Sequence, residues 1–181
     1  MNDLTLFQLA LGLESPWYVS SSSFDVDKKR LDIRIDFKPG SKFTCPHCGR
    51  EDVKAYDTAE MTWRHLNFFQ HEAYLTARVP RISCIDCGIV KLQSFPWSRR
   101  ESGFTLLFEA MIMAMAKSMP VKAIAAIIGE HDTRIWRIIN HYVEQAREQE
   151  DQSAVAMVGV DETSSKRGHN YVTLFVDLAV P

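Results

Sequence analysis

Four cysteines fall in two short knuckles, "CPHCG" at Cys45–Gly49 and "CIDCG" at Cys84–Gly88. Two intervening residues let both thiolates of a pair face one ion. The glycine after each second cysteine permits the tight turn that aims backbone N–H groups at sulfur. Cys45, Cys48, Cys84 and Cys87 together close a tetrahedral shell around Zn²⁺, which implies a structural site with no position left for a substrate. Other uses of cysteine fit less well. Disulfides are disfavoured in a cytoplasmic chain, a thioredoxin-like redox motif wants one pair beside a βαβ unit, and glycine-ended knuckles suit zinc better than an iron–sulfur cluster. His47, His65 and His71 are spare imidazoles once four sulfurs saturate the ion, and His47 is expected at the surface.

A second group of residues has the types that read DNA. In "MPVKAIAAIIGEHDTRIWRIINHYVEQA", Pro120 suits a first helical turn, and Ile124, Ala125 and Ile128 make an apolar face. Gly129 ends that helix, and Asp132 is expected to N-cap the next. The second helix turns Ile135, Ile138, Ile139, Tyr142 and Val143 inward. Two helices with a small residue at the crossing and glycine in the turn match a helix-turn-helix, whose second helix enters the major groove. Off its core face lie Thr133, Arg134, Trp136, Arg137 and Asn140. Arg134, Arg137 and Asn140 suit base edges, while Lys122 and Thr133 suit phosphate. Trp136 is expected to rest against the preceding helix. Glu130 stands where such turns normally carry an apolar residue, so a different packing is expected there. An antiparallel helix pair with a solvated basic face is the competing reading.

The last chemistry-bearing stretch is "VGVDETSSKRGHNYVTLFVDL". Adjacent strand residues point to opposite faces, so Asp161 and Glu162 cannot line one site. A turn near Arg167 would set Asp161 near Thr173 and Asp177 opposite Met157, about 13 Å from Asp161. Lys166, Arg167 and His169 then populate the loop. By itself this hairpin supports no catalytic assignment.

These residues need elements to hold them, and hydrophobic periodicity supplies candidates. The first forty residues read as extended, with "RLDIRIDF" alternating Leu31, Ile33, Ile35 and Phe37 against polar positions and "DVDKKR" as the turn before it. Between the knuckles "EAYLTARVP" puts Ala73, Leu75, Ala77 and Val79 on one face, so a β insertion is expected there. From Gly103 the pattern becomes helical, beginning with "FTLLFEAMIMAMAKS"; after Asp151 it returns to strand, turn, strand. The chain is thus an α+β protein divided as 1–42 (β-rich), 43–98 (a four-cysteine, zinc-ribbon-like module), 99–150 (helical, helix-turn-helix) and 151–181 (a hairpin).

At 181 residues, 46% of them apolar, a folded core is available. The net charge of −2 leaves no global nucleic-acid footprint, although the middle of the chain is mildly basic. No signal peptide is visible, and "FTLLFEAMIMAMA" is too short for a bilayer and carries Glu109, so a cytoplasmic protein with no membrane partner is expected. Met111, Met113 and Met115 mark a candidate homodimer face.

Taken in order, "CPHCG", "TWRHL", "ARVPRISCIDCG", "FPWSRRESGFTLLFE", the helix pair after "KSMP" and "VGVDETSSKRGHNYVTLFVDL" resemble the N-terminal part of insertion-sequence transposases of the ISL-three family. The resemblance covers essentially the whole chain. It implies a zinc finger, a helix-turn-helix and an RNase H-like domain whose DDE triad binds Mg²⁺ or Mn²⁺. It places Asp161 as the first triad carboxylate, on the first strand of that fold. Two metal ions held by several carboxylates carry such strand transfer, so a chain with only the first hairpin is expected to bind element ends, double-stranded DNA in the bacterial nucleoid, without cutting them. A stand-alone regulator and a zinc-ribbon interaction module are the alternative functions.

Overall fold

The computed structural model describes residues 3–88, 90–92, 95–151, 153–166 and 168–179. The chain divides into two compact units, Met1–Ile138 and Ile139–Pro181.

In the first unit the alternation of "RLDIRIDF" and "EAYLTARVP" resolves into neighbouring strands. β1 (Trp17–Asp25) and β2 (Arg30–Phe37) form an antiparallel hairpin across the acidic–basic turn. β4 (Val53–Phe68) and β5 (His71–Ser83) form a long hairpin, the β insertion between the knuckles. β2 then pairs with β5 in parallel, Leu31 beside Ala73 and Ile35 beside Ala77. With β3 (Lys42–Phe43) on the edge of β4, and β6 (Val90–Leu92) on β5, six strands make one sheet of order β1-β2-β5-β4-β3 with β6 branching from β5. The sheet therefore draws on the first forty residues and on the inter-knuckle segment together.

One face of this sheet is the core. Leu31, Ile33, Ile35, Phe37, Ala73, Leu75, Ala77 and Val79 are all buried, as the period of two requires. An aromatic cluster closes it: Trp17 meets Trp97 at 5.0 Å, and Trp63 meets Trp97 at 5.6 Å, both edge to face. Among the chain's polar alternates, Arg34 pairs with Glu60 and Arg78 with Asp36.

The opening residues differ from expectation. Asp3–Ala10 is a helix, α1, not extended chain. Leu4, Phe7 and Leu11 recur at helical spacing and pack against the core. Gln8 anchors it by donating to the Leu13 carbonyl (2.5 Å) and accepting the Val19 N–H (2.8 Å), at the β1 bulge between Val19 and Ser21.

Three further helices follow: α2 (Leu106–Ala116), α3 (Val121–Ile128) and α4 (Asp132–Gln149). Phe108 and Ile112, Ile124 and Ile128, and Ile135 and Ile138 are their buried positions. Thr105 caps α2 by accepting the Phe108 N–H. Glu109 is fully buried, gripped by Arg99 through both oxygens (3.0 and 2.9 Å) and by the Ser102 hydroxyl at 2.6 Å. Nothing in its spacing distinguished it from a surface acid.

The second unit holds the end of α4 and an antiparallel hairpin of β7 (Val158–Lys166) and β8 (Asn170–Asp177). Its register is one residue from the expected one. Asp161 faces Leu174, and Asp177 faces Val158, because an irregularity between Ser164 and Lys166 shifts the pairing. Arg167, the expected turn centre, lies outside the described residues. Cross-strand partners share a face, so Asp177 sits with Glu162, on the face opposite Asp161.

Candidate metal centre and nucleic-acid interface

The hairpin β4–β5 explains why two knuckles far apart in sequence meet. The first knuckle leads into β4, the second leaves β5, and antiparallel pairing brings Ala55 beside Ile82. Cys45 and Cys84 are buried within the sheet core. All four Sγ atoms lie within 4.8 Å of one another, with Cys48–Cys84 at 3.5 Å and Cys45–Cys87 at 4.0 Å. A tetrahedral ion with Zn–S bonds near 2.3 Å needs sulfurs about 3.8 Å apart, so the donor set fits zinc.

The knuckle turns are built as the glycines require. Gly49 and Gly88 have φ of 72° and 58°, and their N–H groups close on the carbonyls of Cys45 and Cys84 at 3.0 and 2.8 Å. Arg50 grips Asp86 bidentately, tying one knuckle to the other. Backbone N–H groups of Cys48 and His47 pull the Cys45 thiol down to about 7, whereas hydrogen bonding with Cys48, then burial, pushes Cys87 up to about 12. Four thiols this close cannot all ionise on their own, and a divalent cation supplies the missing charge. His47 is exposed, in line with its expected surface position. Among the described residues, the cysteines are the only cluster of three or more groups able to hold a metal.

The helical pair is seated on the sheet by a buried arginine. Arg64, from "TWRHL", is 2% exposed. Its Nη1 donates to the carbonyls of His65 (2.7 Å) and Ala73 (3.2 Å), and its Nη2 to Asn67 Oδ1 (2.7 Å). Its Nε faces Glu130 Oε1 at 4.0 Å, and its guanidinium lies over the rings of Tyr74 and Phe108. Glu72 Oε1 lies 3.7 Å from Arg64 Nη2, so Glu130, with its side chain 10% exposed, is a second acid answering the buried cation from the turn, where an apolar residue would not. Its other oxygen takes Arg134 Nη1 at 2.5 Å, and Arg134 in turn stacks over Phe104 at 4.2 Å. Arg64 also holds the next segment through its backbone, accepting from Thr105 N–H and donating to Gly103 O.

His65 sits at the same junction. Burial, then the neighbouring Arg64 charge, pulls its imidazole down to about 4. An unprotonated Nδ1 lets the Thr105 hydroxyl donate to it, at 2.9 Å, while that oxygen accepts the Phe108 N–H. The unfolded chain protonates at the ordinary 6.5, the folded chain only near 4, so unfolding takes up a proton between these values. Stability contributed by neutral His65 is complete above 6.5 and lost as pH falls towards 4. We expect wild type to lose about 2 kcal/mol more than His65→Gln between pH 7.5 and 4.5, read as urea midpoints. Equal losses would refute this role.

The expected turn is present with one change. Gly129 takes φ 71° and ends α3. Asp132 is not the cap but the first residue of α4; His131 precedes it, and its Nδ1 accepts the Thr133 N–H at 3.3 Å. Thr133 Oγ1 also meets His131 Nδ1 at 2.9 Å. Lys122 and Arg137 are exposed, with no ion-pair partner among the described residues; Asn140, further along α4, is exposed too. Trp136, expected against α3, stands 50% exposed. In the hairpin, Asp161 is exposed, and its Oδ1 accepts the N–H of Glu162.

Comparison with known proteins agrees with this arrangement. Residues 41–87 match the zinc-finger of transposase IS204/IS1001/IS1096/IS1165. Residues 93–143 match the helix-turn-helix domain of transposase family ISL3. The transposase for insertion sequence element IS1557 of Mycobacterium tuberculosis is 26% identical over 190 residues, covering 98% of this chain and 41% of that protein. The transposase for insertion sequence element IS1001 of Bordetella parapertussis is 24% identical over 148 residues, covering 80% of this chain and 36% of its own length. The chain thus spans about two-fifths of these relatives. No solved structure matches. No described helix is long and apolar enough to cross a membrane. With a zinc-finger and a helix-turn-helix matched in that order, the chain is similar to the N-terminal portion of ISL3-family transposases.

Proposed function

We propose that this chain is the DNA-recognition part of an insertion-sequence transposase, reading the element's terminal repeats through α4. The observation that carries the reading is the second helix of the helix-turn-helix, braced on the sheet that carries the four-cysteine cluster, with its outer side exposed. Thr133, Arg137 and Asn140 are exposed there, and Lys122 lies on the helix before. In this reading Lys122 and Thr133 meet phosphate, while Arg137 and Asn140 address base edges. Arg134, already committed to Glu130 and Phe104, contributes by holding the helix more than by reaching a base. Zinc, when bound, supplies structural closure, and the four cysteines are its ligands.

The hairpin extends the proposal. We assign β7–β8 as the opening of an RNase H-like domain and Asp161 as its first metal-binding carboxylate. Asp161 is exposed on β7, and Asp177 lies on the opposite face, so the hairpin sets no second acid of β8 beside it. Further carboxylates must then come from elsewhere before Mg²⁺ or Mn²⁺ is held.

Binding of the purified chain to terminal-repeat duplexes is expected to be sequence-selective and steeply salt-dependent, measured by footprinting and fluorescence anisotropy. Lys122→Ala is expected to weaken binding to all duplexes alike and to reduce the log K against log[salt] slope by about 1. Arg137→Ala is expected instead to relax selectivity. Absence of any preference for terminal-repeat DNA at moderate salt would discard the proposal.

A further inference from the structure

Trp136 is the least expected residue on α4. The chain has four tryptophans, and Trp17, Trp63 and Trp97 are all buried. Trp136 alone is half exposed, within the second turn of α4 and between Ile135 and Ile138 only in sequence, since those two side chains point inward. A large ring left in water is costly unless something covers it.

Its neighbours show what could cover it. Thr133 precedes it by one turn and Arg137 follows it, both exposed, so the three residues occupy adjacent outer positions of one helix. Arg134, the other cation of this turn, is drawn away to Glu130 and Phe104. The outer side of this turn therefore combines one apolar ring, one hydroxyl and one exposed guanidinium. In a major groove, an arginine takes guanine O6 and N7, while an apolar side chain finds a matching surface in the thymine C5-methyl group.

We propose that Trp136 is a specificity-determining residue that recognises thymine through its 5-methyl group, beside the base contact of Arg137. The proposal rests on the DNA-recognition reading of α4 given above. It makes the readout at this position apolar, hence insensitive to salt, in contrast to the phosphate contacts.

The test uses the full 181-residue chain and a duplex selected by it from a random-sequence pool. Each thymine of the selected duplex is then replaced singly by deoxyuridine, which removes only the methyl. Wild type is expected to lose about four-fold in affinity at one or two positions, the worth of one methyl-sized contact. Trp136→Ala is expected to bind about 10-fold or more weakly, to keep the wild-type salt slope, and to show no penalty at those same positions. Trp136→Phe is expected to restore part of the methyl dependence. Emission from the exposed indole should shift to the blue on binding.

Because the side chain is on the surface, both variants should keep the wild-type melting temperature, which confirms that binding and not folding has changed. The inference is overturned if deoxyuridine costs the same with tryptophan or alanine at 136. It is equally overturned if Trp136→Ala leaves affinity intact while converting a dimer to a monomer by light scattering, which would mark the ring as a protein contact. Failure of the pool to yield any preferred sequence would remove the recognition reading and this inference with it. Selection that succeeds with no role for residue 136 would remove this inference alone.

Discussion

Replacing Cys84 with serine is expected to abolish zinc retention and to lower the melting temperature by more than about 10 °C. The reasoning starts from burial. Cys84 and Cys45 belong to the four-cysteine cluster that fits zinc and are also members of the sheet core, with Phe43, Val53 and Ile82. Metal binding in small zinc domains is worth on the order of 10 kcal/mol, and part of it is folding free energy. At roughly 2–4 °C per kcal/mol for a chain of this size, even a modest share produces the stated drop. Loss should be local: amides at 41–54 and 82–88 should exchange faster, while those of β2 and the middle of β5 stay protected. Chelation of wild type should reproduce the same melting curve, and chelator should do nothing further to Cys84→Ser. Wild type that is purified without metal, and melts as usual, would eliminate the structural role of zinc.

Arg64→Met should cost about 3–5 kcal/mol, the range for breaking a buried ion pair by deleting one partner. Three acceptors lose their donor at once, namely the carbonyls of His65 and Ala73 and the Asn67 amide oxygen. Glu130 is left nearly buried with Arg134 as its remaining partner. If the charge on Glu130 is the main liability, adding Glu130→Leu should recover a substantial part of the loss, because an apolar pair of similar volume tolerates burial. Urea midpoints of the two single variants and the double variant form the cycle that measures this coupling. A cost for Arg64→Met below about 0.5 kcal/mol would show that the arginine is tolerated there and not needed.

Local features of this molecule were legible in advance and non-local ones were not. The knuckle spacing led directly to a sulfur cluster, because two intervening residues and a glycine determine a turn without help from the rest of the fold. Strand alternation in "RLDIRIDF" and "EAYLTARVP" gave the buried face correctly, yet alternation says nothing of which strand lies beside which, so the parallel pairing of β2 with β5 went unseen. α1 was missed because a single short amphipathic turn or two carries little periodic signal, although Leu4, Phe7 and Leu11 were its trace. In β7–β8, one irregular residue at the loop moved every partner by one and changed the face of Asp177.

Charged residues were harder still. Arg64, Glu109 and Glu130 carry the same letters as surface residues, and only tertiary partners decide that the first two are buried and the third nearly so. Glu130 is an odd occupant of its turn by sequence alone; its counterpart is a cation on another element, Arg64 of β4. The helix-turn-helix pattern located Arg134 and Arg137 alike, but could not tell that one would be recruited inward and the other left exposed.

The parallel union of β2 with β5 also imposes an order on assembly at the ribosome. The chain emerges from its N-terminus, so the first hairpin leaves the exit tunnel well before the strand that will flank it. Until His71–Ser83 appears, β2 presents an open edge, and at translation rates of about 5–20 residues per second this lasts for seconds. The first pair of sulfurs waits through the same interval, since its counterparts lie beyond that strand. Arrival of β5 thus closes the open edge of β2, and the second sulfur pair follows directly behind it, before β6 adds the last strand.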